Sequence, residues 1–225
     1  QGRVRGDILM TGRNTAVQLA ALGFSVLPIK AGAKFPPLWK DWPGKATRLP
    51  AEADFPDGCN VGIHCAGLIV VDVDPLKGGF ESLLALDMND DTTLPSTREA
   101  TTPSGGRHMF YALPVGHPGV GNSAGKLGKG IDTKSTRGYV VGAGSEIAAG
   151  KYEWANDAPI APAPEWLIAR LGEAKPTPEL GMIAPKMGIP DADEDAVGRA
   201  RDWLKGQPVG DDAYKTACGL RDMGL

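Results

Sequence analysis

The chain is 225 residues long, 42% apolar and 23% charged, with a formal net charge of −3. That length holds one domain, or one domain and a small appendage, with a real core, and the composition is that of a soluble globular protein rather than a disordered or fibrous one. No apolar run approaches the ~20 residues that span a bilayer, no secretory signal is visible, and three cysteines (Cys59, Cys65, Cys218) cannot build a disulfide framework, which suits a reducing cytoplasm.

In chain order the sequence reads as α+β. The alanine-rich stretch Thr15 to Leu22, stopped by Gly23, predicts a helix. Phe24 to Ile29 predicts a strand, and the Lys- and Pro-rich residues 30–43 a loop. Asn60 to His64 and Gly67 to Asp74 read as a paired strand and hairpin, followed by a helix from Gly79 to Met88. Arg98 to Thr102 and Arg107 to Ala112 read as strands around the turn Pro103-Ser104-Gly105-Gly106. A short strand at Asp132, two more at Gly138 to Val141 and Lys151 to Trp154, and a helix at Ala163 to Leu171 complete a domain over residues 1–172. Residues 173–190, rich in Pro, Gly and Lys, predict a linker. Residues 191–225 open a helical region with helices at Asp195 to Lys205 and Asp211 to Met223. The chain begins at Gln1 rather than Met, as a fragment or a processed protein would.

Charge is segregated along the chain. Residues 1–50 carry eight Lys/Arg against two Asp/Glu, residues 51–97 one against nine, residues 98–140 six against two, and residues 141–225 nine against fourteen. Basic blocks flanking an acidic one suit a metal site framed by phosphate contacts; ordinary solvated faces give the same pattern.

Three motifs carry the chemistry. Leu68 to Asp74 reads LIVVDVD: a buried strand ending in two carboxylates at period two, hence on one face. Like charges held so close repel, and a divalent metal with oxygen ligands would relieve them; Mg²⁺ takes one or two carboxylates plus substrate phosphates. A strand end whose aspartates cap the turn before Pro75 reads equally well. The second motif is Ser104-Gly105-Gly106-Arg107-His108. Its glycines let backbone approach a ligand, and Arg107 and His108 enter a strand on alternating faces, so one points to the site and the other away. His108 is a candidate phosphate donor, with Ser104 and the loop amides as a cradle; a glycine turn beside a satisfied histidine is the plainer alternative. The third is Gly130-Ile131-Asp132-Thr133-Lys134-Ser135, followed by Gly138-Tyr-Val-Val-Gly-Ala-Gly-Ser145. Asp132 would supply a third carboxylate and complete a two-metal site. Lys134, two residues on and on the same face, could neutralise a phosphate, though a surface Asp–Lys pair has the same look.

The ordered set resembles the N-terminal primase–polymerase (prim-pol) domain of the archaeo-eukaryotic primase superfamily, found in phage and plasmid replication proteins. The likeness runs over residues 14–171 and includes Ala-Ala-Leu-Gly-Phe-Ser-Val-Leu-Pro-Ile-Lys at its start, Lys34-x-Pro36 and Trp42. The resemblance implies a split catalytic module with an RRM-like sheet, followed by a short helical C-terminal segment. It implies that Asp72, Asp74 and Asp132 are the catalytic, metal-binding triad for two Mg²⁺ or Mn²⁺ ions. It implies that His108 contacts the incoming nucleotide, with Arg107, Ser104 and Lys134 placed for the triphosphate. The implied activity is template-directed transfer of nucleotides from dNTP or NTP to a 3′-hydroxyl on single-stranded DNA. The basic loop at Lys30, Lys34 and Lys40 is a candidate for template or primer phosphates, and Trp39 and Trp42 for base stacking or a local core.

Some relatives carry a zinc-binding insertion. Here Cys59, His64 and Cys65 lack the paired Cys-x-x-Cys spacing of structural zinc, so no structural zinc is expected and core thiols read better. The C-terminal segment resembles the helical region that follows such domains, so the natural protein is expected to continue, toward a helicase domain or partner; no Gly-x-x-x-x-Gly-Lys-Ser/Thr loop for helicase activity is present. Two rival classes stay open at this stage: a metal-dependent nucleotide-sugar glycosyltransferase, which also uses Asp-x-Asp, and a non-catalytic nucleic-acid-binding module.

Overall fold

The first helix, α1 (Gly12–Ala21), buries Thr15, Ala16 and Leu19, a spacing that puts one stripe against the core. It stops where Gly23 takes a φ of 88°, a backbone state that glycine adopts without a Cβ penalty. The fold is described by a computed structural model over residues 12–50 and 54–172. The predicted linker 173–190 and the helices Asp195 to Lys205 and Asp211 to Met223 lie outside the described residues.

After α1 come β1 (Val26–Ile29), the one-turn helix α2 (Trp42–Lys45), β2 (Asn60–His64), β3 (Leu68–Val73) and α3 (Gly79–Asp87). Then follow β4 (Glu99–Thr101), β5 (Arg107–Ala112), β6 (Ser123–Ala124), β7 (Ile131–Lys134) and β8 (Tyr139–Val141). The short strands β9 (Glu146–Ile147), β10 (Gly150–Lys151), β11 (Glu153–Trp154) and β12 (Ala161–Pro162) precede α4 (Glu165–Leu171). The main elements match the sequence expectations in type and place; β6, β9 and β12 do not announce themselves at two residues each.

The strands form a large sheet in the order β11-β4-β5-β3-β7-β6, with β12 beside β5, a three-stranded sheet β1-β2-β8 and the ribbon β10-β9. All pairings are antiparallel except β12 with β5. Among the described residues the result is a mixed α/β architecture of antiparallel sheets and few helices.

One expectation needs correcting. β2 and β3 are strands, but they do not pair as a hairpin: β2 lies between β1 and β8, and β3 between β5 and β7. Both are buried along nearly their whole length, so each takes the interior place of its own sheet. The turn at Cys65–Leu68, with Gly67 at φ 75°, carries the chain from one sheet to the other. The link from β7 to β8 crosses back, and there Ser135 Oγ donates to the Leu68 carbonyl at 2.6 Å.

Two apolar layers hold the large sheet. On one face Ile69, Val71, Val73, Met109, Tyr111 and Ile131 pack under Leu86 of α3 and Leu167 and Leu171 of α4. On the other, Val70 and Phe110 pack with Leu19, Phe24, Val61 and Ile63 against the small sheet and α1. Each fully buried aliphatic side chain contributes about 1.5–3 kcal/mol. Beyond Val70 the second layer opens into a cleft.

Candidate active site

The cleft is built on one transverse row of the large sheet. The register pairs Trp154 with Ala100, Ala100 with His108, His108 with Asp72, and Asp72 with Asp132. Cross-strand partners share a face, so antiparallel pairing of β5, β3 and β7 sets the His108 and Asp132 side chains on either side of Asp72. Two residues along β7 on the same face is Lys134, opposite Val70. These side chains line a cleft of about 470 Å³, closed on the far side by Tyr139, Val140 and Val141 of β8.

Backbone contact fixes the two ends of the row. The Asp74 N–H donates to the Gly130 carbonyl at 2.8 Å, and the Gly79 N–H to the Asp74 carbonyl at 2.9 Å. A Cβ on Gly79 would sit 2.6 Å from the Gly130 oxygen, so the approach that aligns the end of β3 with the start of β7 requires glycine there. Gly106 has the same role beside β5, since a Cβ on it would meet the Val73 carbonyl at 2.3 Å.

The electrostatics follow from the row. Asp72, with its side chain one-third exposed, has its pKa pushed up to about 6, first by burial and then by the Asp132 carboxylate opposite; Lys134 and Lys34 pull it down and Asp74 raises it further. His108 is 5% exposed, and burial, then the Lys34 ammonium, lower its pKa to about 4. The ring is therefore neutral at pH 7, and its Nε2, 3.6 Å from Asp72 Oδ1, forms neither an ion pair nor a hydrogen bond.

Asp74 lines the same cleft but is otherwise engaged. Its Oδ1 accepts from the Leu76 N–H at 3.0 Å, capping the turn at Pro75–Lys77, and its Oδ2 meets Lys77 Nζ at 3.1 Å. The Lys77 hydrogen bond is the main reason its pKa lies below the usual carboxylate value. Of the two readings of the Asp-x-Asp, the cap describes Asp74, which closes the turn at Pro75, while Asp72 caps nothing and faces the cleft. Among the described residues no three His, Cys, Asp or Glu side chains converge as a preformed metal cage.

Of the other expected site residues, Ser104 lies at the cleft edge in the β4–β5 turn, its Oγ 3.1 Å from Thr102 Oγ1. Lys34 lines the cleft, whereas Lys30 and Lys40 are exposed and stand outside it. Arg107 is not brought to the site. It pairs across from Val73 on the other face of the sheet, and its guanidinium meets Glu99 at 3.4 Å and the Phe80 ring at 5.6 Å. Trp39 packs edge-on against Phe55 in the core, and Trp42 sits on the cleft wall against Tyr139 and His64. The sequence reading missed Lys77 and Tyr152 as lining residues. Lys77 stands three residues after Asp74, a signal that was available; Tyr152 reaches the cleft only through tertiary structure.

Cys59 and Cys65 are buried, free thiols in the apolar core, and burial raises both thiol pKa values, that of Cys59 to about 11. His64 is turned to the Thr136 carbonyl at 3.1 Å. Among the described residues no helix is long and apolar enough to cross a membrane.

With this geometry in hand, comparison with known families is specific. Residues 16–166 match the family described as bifunctional DNA primase/polymerase, N-terminal (Prim-Pol). The match covers well over half of the chain, and the protein belongs to that family. Membership implies nucleotidyltransferase activity in general, with DNA primase/polymerase as the role the family is described by. No curated protein matches the chain.

Proposed function

We propose that residues 1–172 form the catalytic domain of a template-directed DNA primase/polymerase that adds nucleotides from dNTP or NTP to a 3′-hydroxyl. It would work on single-stranded DNA in phage or plasmid replication, in the cytoplasm and alongside a helicase. The observation that carries the reading is the cross-strand row His108–Asp72–Asp132 on a sheet whose sequence matches the Prim-Pol family. We read the large sheet as the RRM-like catalytic sheet of that superfamily.

The donor set fits divalent cations. Asp72 and Asp132 are directly opposed carboxylates, and their mutual repulsion is part of what raises the Asp72 pKa. They would hold Mg²⁺ or Mn²⁺ together, and Asp74, which lines the same cleft, would be the third carboxylate. Two such ions, when bound, supply a lowered pKa for the attacking hydroxyl and charge neutralisation at the leaving pyrophosphate.

The remaining residues act on the nucleotide. His108, kept neutral by burial, offers a hydrogen bond to a phosphate oxygen without adding a fixed charge. Lys134 and Lys34 face the same space and neutralise phosphate. Lys34 therefore moves from the template group to the nucleotide group. Ser104 and the amides of its turn cradle the triphosphate at the rim. Lys30 and Lys40, exposed beyond the cleft, remain for template or primer phosphates.

The test is primer extension with each nucleotide set in Mg²⁺ and in Mn²⁺, with labelled UDP-sugars as a control. The expected result is dNTP or NTP incorporation that Asp132→Asn lowers by about a hundred- to a thousandfold. Near-normal extension by Asp132→Asn would sink the assignment.

A further inference from the structure

One group in the cleft has an orientation that hydrogen bonding does not explain. An imidazole that serves a ligand through one nitrogen is ordinarily fixed by a hydrogen bond at the other. The buried Nδ1 of His108 has no such partner; the Val141 carbonyl is near the ring but outside hydrogen-bonding geometry to Nδ1. What the ring does have is Tyr152, stacked on it with centroids 5.7 Å apart and planes 30° apart.

We propose that Tyr152 is a positioning residue, whose stacked ring sets the plane of His108 and so aims Nε2 into the nucleotide site. The inference rests on the reading of the cleft as that site.

Tyr152 is built to serve as a fixed reference. It is 2% exposed and packs with Leu27, Ile29 and Val141. Its N–H donates to the Ser145 carbonyl at 2.9 Å, and its carbonyl accepts from the Gly144 N–H at 2.7 Å. The next two residues, Glu153 and Trp154, pair with Thr101 and Ala100, and Ala100 is itself the cross-strand partner of His108. Tyr152 is thus tied through its own backbone to the loop after β8 and through its neighbours to the strand beside His108. A ring held from both sheets can define the plane of another ring where no hydrogen bond does.

Two substitutions separate the ring from the hydroxyl. Tyr152→Phe keeps the stack and gives up only the hydroxyl's hydrogen bond to the Lys34 side chain, so it should raise the KM for dNTP less than the loss of the ring does. Tyr152→Leu removes it and should raise that KM about three- to tenfold, the range a lost aromatic pair supports, with primer-template Kd unchanged. A second readout needs neither metal nor turnover. The chain has three histidines, so ¹⁵N-histidine spectra in EDTA can be assigned with His108→Ala. The His108 ring signals should hold in Tyr152→Phe and move in Tyr152→Leu. Equal KM values and His108 signals in wild type and Tyr152→Leu would overturn the proposal, as would a loss in Tyr152→Phe equal to that in Tyr152→Leu. If Tyr152→Leu does not fold, the wild type decides: His108 ring protons without the upfield displacement of a stacked aromatic would overturn it. If wild type incorporates no nucleotide, the functional reading fails, while the spectra still judge the stack.

Discussion

On one face of the large sheet, Ile69, Val71 and Val73 meet Met109, Tyr111 and Ile131 beneath α3 and α4; on the other, Val70 meets Phe110, and the next row holds His108, Asp72 and Asp132. The same three strands make both. The first face is closed by helices, and its cluster of Ile69, Val71, Val73, Met109, Tyr111 and Ile131 holds no carboxylate and no basic side chain. The second is sealed near Val70 and open beyond it, where the small sheet stands off and water or a ligand can enter. The difference teaches that the core and the site are one backbone read at alternate positions. A step of one residue along β3 changes the requirement from exclusion of charge to concentration of it.

The sharpest way to break the comparison is to swap that step. Val71→Asp would place a carboxylate on the closed face with no partner, a cost of several kcal/mol against a total stability of ~5–15 kcal/mol. The expected outcome is an unfolded or insoluble protein by circular dichroism. Asp72→Asn, one residue on, should fold, lose nucleotide incorporation by about a hundredfold or more, and melt higher than wild type in EDTA at pH 7. A folded Val71→Asp, or an active Asp72→Asn, would show that the two faces do not differ as described.

A pH series sharpens the second half of that contrast. The folded-state pKa of Asp72 is raised from 3.8 to about 6, so the native state binds this proton more tightly than the unfolded chain. Stability from this group therefore falls as pH rises from about 4 to about 6. His108 works in the opposite sense: its pKa drops from 6.5 to about 4, so its burial favours folding above pH 6.5 and disfavours it as pH falls toward 4. The two partly cancel in wild type. Asp72→Asn removes only the first, so in urea titrations with EDTA its advantage over wild type should be near zero at pH 4 and grow to a plateau by pH 7. Full linkage sets an upper bound of about 3 kcal/mol, and screening at a one-third-exposed side chain leaves less. An advantage that does not change with pH would mean that neither the burial of the Asp72 carboxylate nor its repulsion by Asp132 is what the substitution relieves.

Much of this was legible in sequence, for local reasons. The apolar run through Val71 names a buried strand, period two puts Asp72 on the face opposite Val71, and Ser104-Gly105-Gly106 names the turn that feeds His108. What sequence could not supply was which strands pair. β2 and β3 are neighbours in the chain yet belong to different sheets, because the choice depends on β8, β5 and β7, all far along the chain. For the same reason the stacking of Tyr152 on His108, 44 positions apart by their numbers, carries no local signature. Asp74 is the intermediate case. Period two places it with Asp72, but β3 ends at Val73, and Pro75 turns the chain so that the carboxylate finds Leu76 and Lys77 instead.

The smallest expected effect tests the comparison from the other side. Arg107 and His108 are adjacent, and a basic residue beside a histidine proposed for the nucleotide invites assignment to the triphosphate. The alternation of β5 forbids both from facing the cleft, and it is His108 that does. Arg107 instead spends its charge on Glu99 and the Phe80 ring at the edge of the helix-covered face. An exposed pair of this kind is worth ~0–1 kcal/mol, so Arg107→Gln should leave the KM for dNTP within about twofold and cost little stability. Lys34 is 73 positions before Arg107 in number and outside the three motifs that carry the chemistry, yet its ammonium shares the cleft with Asp72 and His108. Lys34→Met should remove a charge-assisted contact to phosphate and raise the same KM about tenfold. Steady-state primer extension on the two variants, side by side, reads the difference. If Arg107→Gln has the larger effect, nucleotide binding uses the face that α3 covers, and the division of the sheet into a core face and a site face is wrong.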